Sequence, residues 1–156
     1  EMLAVISTLR ASAYAGIGVA LMLVAQLAFT HTLSWTVILL PVWAIAFMAF
    51  LIGLTWFLSA LGAFTRDVSY LMMTISPLLL FATPVFFSQE VLPHPMNLVI
   101  YANVLTGFVE IVRDLVFFGR LPGAAVTAWT LLVSVGMFWF GYWFFNRNRA
   151  NIADVL

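Results

Sequence analysis

The chain has 156 residues, of which 65% are hydrophobic and only 8% charged, and its net charge is zero. Soluble domains carry about 25% charged residues, so this composition excludes a water-soluble fold and points to a membrane protein. Zero net charge leaves neither a basic patch for nucleic acid nor an acidic tail, and the absence of cysteine removes disulfides and thiolate metal sites.

A membrane-spanning helix needs about 20 mostly apolar residues. Four segments meet that requirement, so the expected fold is all-α with four transmembrane helices. The first covers about 11–29, between Arg10 and His31. No signal-peptide pattern precedes it, since no basic stretch leads a short apolar core with a cleavage site. Ser12, Gly16 and Ala20 recur every four residues in this span, a spacing that lets helices approach closely. The second span covers about 35–61 and has Pro41 near its start. Trp43, Phe47, Phe50 and Phe57, with Leu54, fall on one stripe of it. Such a stripe is suited either to helix packing or to a slippery path on which sugar faces stack. The short turn TRDV follows, where Arg66 and Asp67 stand side by side. Arg66 reads as a topology anchor, and Asp67 can pair with it or cap the next helix.

The third span covers about 68–87 and contains Pro77 and Pro84. None of the four span cores holds Asp, Glu, Lys, Arg or His. Proton- or sodium-coupled carriers place ionisable groups in the membrane, so any transport must draw its energy from another source. Residues 88–97, SQEVLPHPMN, form a polar, proline-marked break. An amphipathic segment follows, in which Leu105, Phe108, Val109, Val112, Leu115 and Val116 share one face and Glu110, Arg113 and Asp114 the other. The stretch 91–118 is too short and too charged to span, and is expected to form one or two outer helices that dip into the interface and return. Gly119 and Pro122 are its stop signal. Glu110 and Arg113 stand at i, i+3, the spacing of a helix-surface ion pair. The last span covers about 123–145. Its aromatic run MFWFGYWFF precedes Arg147 and fits an interfacial anchor.

With four spans, both termini and the 62–69 turn share one side, which holds Arg10, Arg66, Arg147 and Arg149. Arg113 and Arg120 lie on the other side. The positive-inside rule then places both termini in the cytoplasm. No phosphate-binding GxxxxGK[ST] loop, HExxH or GxSxG motif is present, and His31 and His94 are isolated, so the chain offers no catalytic, cofactor or metal site.

Three blocks of the sequence resemble one family. Phe64, Arg66, Asp67 and Tyr70, followed by Pro84, Val85, Phe86 and Phe87, form the first. Tyr101, Asn103, Leu105, Thr106, Glu110, Arg113, Asp114 and Gly119 form the second. Gly141, Tyr142, Phe145, Arg147, Ala153, Asp154 and Val155 form the third. In this order and spacing they are similar to the permease subunits of ABC-2 type exporters, above all those for O-antigen, capsule and teichoic-acid chains. Val104 stands where the family has proline and Ile152 where it has phenylalanine.

The resemblance implies a transmembrane permease that exports a lipid-linked polysaccharide across the bacterial inner membrane. It implies the last four spans of a six-helix permease, with the chain N-terminally incomplete and residues 1–10 part of a coupling segment. It implies a second copy of the permease, two separate nucleotide-binding ATPase subunits that hold ATP and magnesium, surrounding membrane lipid, and no cofactor or nucleic acid in this chain. Trp43, Phe47, Phe50 and Phe57 become the candidate substrate path. Phe86, Phe87, Tyr101, Asn103, Glu110, Arg113 and Asp114 become the candidate outer gate, and Arg10, Arg66 and Asp67 the cytoplasmic turn and coupling residues. An exporter of a drug or simple lipid, and a membrane scaffold without transport, stay open as alternatives.

Overall fold

The computed structural model describes residues 2–31, 33–65, 67–84 and 103–153, and among these all regular structure is helical. Five α-helices follow one another: α1 (Met2–Thr30), α2 (Leu40–Phe64), α3 (Val68–Ala82), α4 (Val104–Arg113) and α5 (Ala124–Ala153). A 3-10 turn, Trp35–Leu39, leads into α2, and a π-helical turn, Asp114–Phe118, extends α4. Helices are the expected solution in hydrocarbon, where each backbone N–H and C=O must find its partner within the segment.

Three segments, Val5–Phe29, Trp35–Phe64 and Ala124–Arg149, are long and apolar enough to cross a membrane. The expected third span divides. Its described part, α3, has 15 residues, or roughly 22 Å at 1.5 Å per residue, against a hydrocarbon core of about 30 Å. Val85–Phe87 lie outside the described residues. Pro77 sits inside α3 and removes the backbone donor that the Met73 carbonyl would otherwise receive.

Helix ends follow local chemistry. His31 takes φ 55° and donates its N–H to the Leu27 carbonyl at 3.0 Å. It therefore closes α1 in the left-handed conformation usually given to glycine. Pro41 lies in the first turn of α2, where a missing N–H costs nothing. Asp67 precedes α3 but makes no side-chain cap; its carbonyl instead accepts the Leu71 N–H at 2.9 Å. The expected capping role of Asp67 is thus corrected. Its other expected partner, Arg66, lies outside the described residues.

The frame of the molecule is the pairing of α2 with α5. Gly53 and Gly141 meet backbone to backbone: a Cβ on Gly141 would lie 2.0 Å from the Gly53 carbonyl oxygen, and one on Gly53 would lie 2.3 Å from that of Met137. The sequence reading assigned close approach to Ser12, Gly16 and Ala20 instead. Gly16 has open space around it and Ala20 is exposed, so the intimate contact belongs to α2 and α5. Above and below the contact, Trp56 packs on Phe138 and Tyr142, and Phe57 on Phe140 and Phe144, with ring centroids 5.2–5.5 Å apart. Numbers rise together along both helices, so α2 and α5 run parallel. The aromatic run before Arg147 is therefore shared. Phe138 and Phe144 pack inward, while Trp139 and Trp143 face outward with Arg147 over the Trp143 ring at 5.3 Å.

Two parallel neighbours require the chain between them to travel back. α1 runs against α2, with Thr8 meeting Thr55 hydroxyl to hydroxyl at 3.2 Å. α3 starts beside the end of α2 and finishes where Thr83 meets Asn103, at the opposite end of the bundle. One end of the bundle thus gathers the close of α1, the start of α2, the close of α3, all of α4 and the start of α5. The other end gathers the start of α1, the 65–67 turn and the close of α5.

The Gly53–Gly141 contact leaves no room for a side chain on either residue. Gly141→Val should lower the detergent-solubilised unfolding midpoint sharply, by about 1–3 kcal/mol or more in stability. Gly136→Ala, where a Cβ meets nothing within 4 Å, should leave the midpoint unchanged. Tryptophan fluorescence against temperature measures both.

Candidate functional site: a buried wedge helix

α4 and its π-helical extension form a wedge set between the starts of α2 and α5. Asn103 begins it, accepting the Leu105 N–H on its side-chain oxygen at 3.1 Å. This is an ordinary N-cap, with the cap residue in extended backbone. Phe108 then enters the core. It meets Phe47 edge-on at 4.9 Å and Phe50 at 6.0 Å, with Trp43 in the same buried cluster. Gly107 lies against α5 so closely that a Cβ there would stand 2.2 Å from the Thr130 hydroxyl.

The buried face differs from the expected one. Ile111, Leu115 and Val116 are fully buried, as are Thr106 and Gly107, while Val109 and Val112 are only half-buried. The sequence reading omitted Ile111, Thr106 and Gly107. The glycine brings the helix backbone, rather than a side chain, against α5, and Ile111, three past Phe108 and four before Leu115, continues the buried stripe into the π turn, which adds one residue per winding. Ile111 and Val116, five apart, can then both face inward.

Leu115 and Val116 are buried near the end of the wedge, and their carbonyls need donors. Thr36 Oγ1 donates to the Leu115 carbonyl at 2.6 Å, and Gln26 Nε2 donates to the Val116 carbonyl. Gly119 closes the turn at φ 60°, packed on the Ser34 side chain; its N–H and that of Arg120 reach the Asp114 carbonyl. Arg120 also holds the Asp114 carboxylate at 2.8 Å and stacks over Phe118 at 4.8 Å. Two further bonds tie the wedge to the close of α3. The Asn103 amide donates to Thr83 Oγ1 at 2.8 Å, and the Arg113 guanidinium donates to the Pro84 carbonyl.

Of the residues expected at an outer gate, Asn103, Arg113 and Asp114 are thus brought together on the wedge, and Glu110 lies half-buried on the same helix. Phe86, Phe87 and Tyr101 lie outside the described residues. The expected substrate path splits in two. Trp43, Phe47 and Phe50 surround Phe108, while Phe57 belongs to the α2–α5 contact near the other end. Arg10 lies within α1, one turn before Tyr14, whose ring it approaches at 5.9 Å. Among the described residues no group of His, Cys, Asp or Glu is placed to hold a metal. Chemically the wedge offers hydrogen-bonding groups at both of its ends and no group placed for catalysis among the described residues.

The chain is 26% identical over 136 residues, 86% of its length, to the O-antigen export system permease protein RfbA of Myxococcus xanthus. It is similar to an export permease. It spans about half of that relative, 52% of its length. No protein-family model matches the chain. The similarity and the three long apolar helices together describe a multi-pass membrane protein.

A buried carbonyl that loses its donor carries its full desolvation penalty. Thr36→Val should therefore cost about 1–3 kcal/mol of stability, seen as a lower unfolding midpoint in detergent. Thr36→Ser, which keeps the hydroxyl, should recover most of it.

Proposed function

We propose that this chain is the membrane-spanning part of a permease subunit in an ATP-driven ABC-2 type exporter, and that its cargo is a lipid-linked polysaccharide. The observation that carries the reading is its similarity to an O-antigen export permease over 86% of the chain. The uncharged span cores support it, because they offer no ionisable group for coupling to an ion gradient. Energy then comes from partner ATPase subunits that hold ATP and magnesium, and no cofactor is assigned to this chain. A second permease copy and two such ATPases complete the assembly.

In this reading α3 is the fourth crossing, since the parallel pairing of α2 and α5 needs one return between them. The bundle end that holds the termini, Arg10, Arg147 and Arg149 faces the cytoplasm of a bacterial inner membrane. The wedge lies at the outer end and acts as the gate, with Asn103, Glu110, Arg113 and Asp114 setting its geometry and Phe86, Phe87 and Tyr101 beside it in the sequence. Trp43, Phe47 and Phe50 brace the gate through Phe108, and Phe57 continues the aromatic track toward the cytoplasm. Arg66 and Asp67 receive the push of the ATPase.

Gentle detergent purification of the full-length protein from its native host, followed by mass spectrometry, tests the reading. A P-loop ATPase in stoichiometric amount is expected, with loss of surface polysaccharide on deletion. A chain that emerges alone, with surface polysaccharide unchanged by deletion, contradicts it.

A further inference from the structure

The wedge is held in two different ways. Toward α1, α2 and α5 it is packed: Phe108, Ile111, Leu115 and Val116 are buried, and Thr36 and Gln26 cap its end. Toward α3 it is tied by hydrogen bonds at the very end of that helix, from Asn103 to Thr83 and from Arg113 to the Pro84 carbonyl. Both partners on α3 are buried: Thr83 is 3% exposed, and Pro84 is fully enclosed.

α3 itself is built unlike its neighbours. From Tyr70 to Phe81 its side chains are exposed within this chain, apart from the half-buried Met72. Its foot is fixed by the buried Val68, 8% exposed, and by the Val68 N–H on the Thr65 carbonyl at 3.3 Å. Between foot and head, Thr74 and Ser76 bond their own helix, to the Tyr70 and Met72 carbonyls. Pro77 interrupts the backbone ladder midway. Within this chain α3 is therefore joined to the rest chiefly at its two ends, so a displacement of the foot is carried along the helix to the head.

We propose that α3 is a push-rod: displacement of its foot at the 65–68 turn reaches the wedge through the Thr83 and Arg113 ties, and not through α2. This deepens the exporter reading by assigning the path from the partner-facing turn to the gate. Thr83 and Arg113 are positioning residues for the wedge. The coupling is an equilibrium property of this chain alone, so it is tested without transport.

The full chain in detergent or nanodiscs carries spin labels on α2 and on the wedge, through Ile45→Cys and Phe117→Cys. Both positions are exposed, and the chain has no cysteine of its own. A control pair, Ile45→Cys with Leu132→Cys, spans the α2–α5 frame. The foot is displaced by Val68→Met, and in the opposite sense by Val68→Ala. With the ties intact, each foot variant should shift the α2–wedge distance by about 1–2 Å, the size of a helix shift at a packed interface, and leave the control pair unmoved. In the background Thr83→Val/Arg113→Met, which keeps the Asn103 cap, the shift should fall to less than half. A shift that persists without the ties routes the coupling through α2 and overturns the proposal. No shift in either foot variant with the ties intact also overturns it. Failure of the exporter reading shows instead as a missing ATPase in the purification and leaves these distances as they are.

Discussion

A helix that ends inside an apolar protein must find donors for its last carbonyls, and much of this molecule is arranged around that need. The wedge ends at Phe118 with the Leu115 and Val116 carbonyls turned into the bundle. Their donors are side chains: Thr36 from the turn before α2 and Gln26 from α1. Gln26 is the most polar residue in an otherwise apolar span, and this bond accounts for it. Removing the requirement would release the turn at 35–39, the close of α1 and the seat of Gly119 on Ser34 together. Charge plays a smaller part, since the Asp114–Arg120 pair is at the surface with Arg120 mostly exposed and such pairs contribute little.

A second constraint makes room for the wedge. Because Gly53 and Gly141 bring the α2 and α5 backbones into contact near their later halves, the two helices can separate toward their starts. Phe108 fills the opening and Gly107 closes onto Thr130. The parallel run of α2 and α5, read from the rings of Trp56 and Phe57 on the rings of α5, requires the chain to be carried back between them, and α3 runs in that direction. Frame and wedge are therefore one problem: the glycine contact sets the gap, the wedge occupies it, and α3 reaches the wedge from the other end of the bundle.

Much of this was legible in the residues. Hydropathy found the three long helices because the bilayer requirement is crude and strong, but it did not fix both ends: α1 begins at Met2 rather than near 11, and α5 runs on to Ala153 rather than stopping near 145, since a helix can continue beyond its apolar stretch. The amphipathic segment before Gly119 was visible for the same reason. Three features were not. The contact glycines at 53 and 141 could not be told from Gly16, because spacing within one helix does not reveal which face has a neighbour. The burial of Ile111, which stands at helical spacing from Phe108 and Leu115, was hidden because the equally apolar Val109 and Val112 lie on the adjoining stripe and hydropathy does not choose between them. The left-handed stop at His31 was hidden because the residue is not glycine. The aromatic stripe on α2 was read as one surface, whereas its members serve two contacts: Trp43, Phe47 and Phe50 the wedge, and Phe57 the α5 rings.

The central claim is that the wedge and the chain termini stand at opposite faces of the membrane, joined by an α3 that crosses. Single cysteines introduced into this cysteine-free chain at Leu121, beside the wedge, and at Asn146, near the close of α5, test it with a membrane-impermeant thiol reagent. The account predicts that Leu121→Cys reacts in intact cells stripped of any outer barrier, while Asn146→Cys reacts only in inverted vesicles. Reaction of both from the same face would mean that α3 does not cross, and would contradict the architecture from which the gate is inferred.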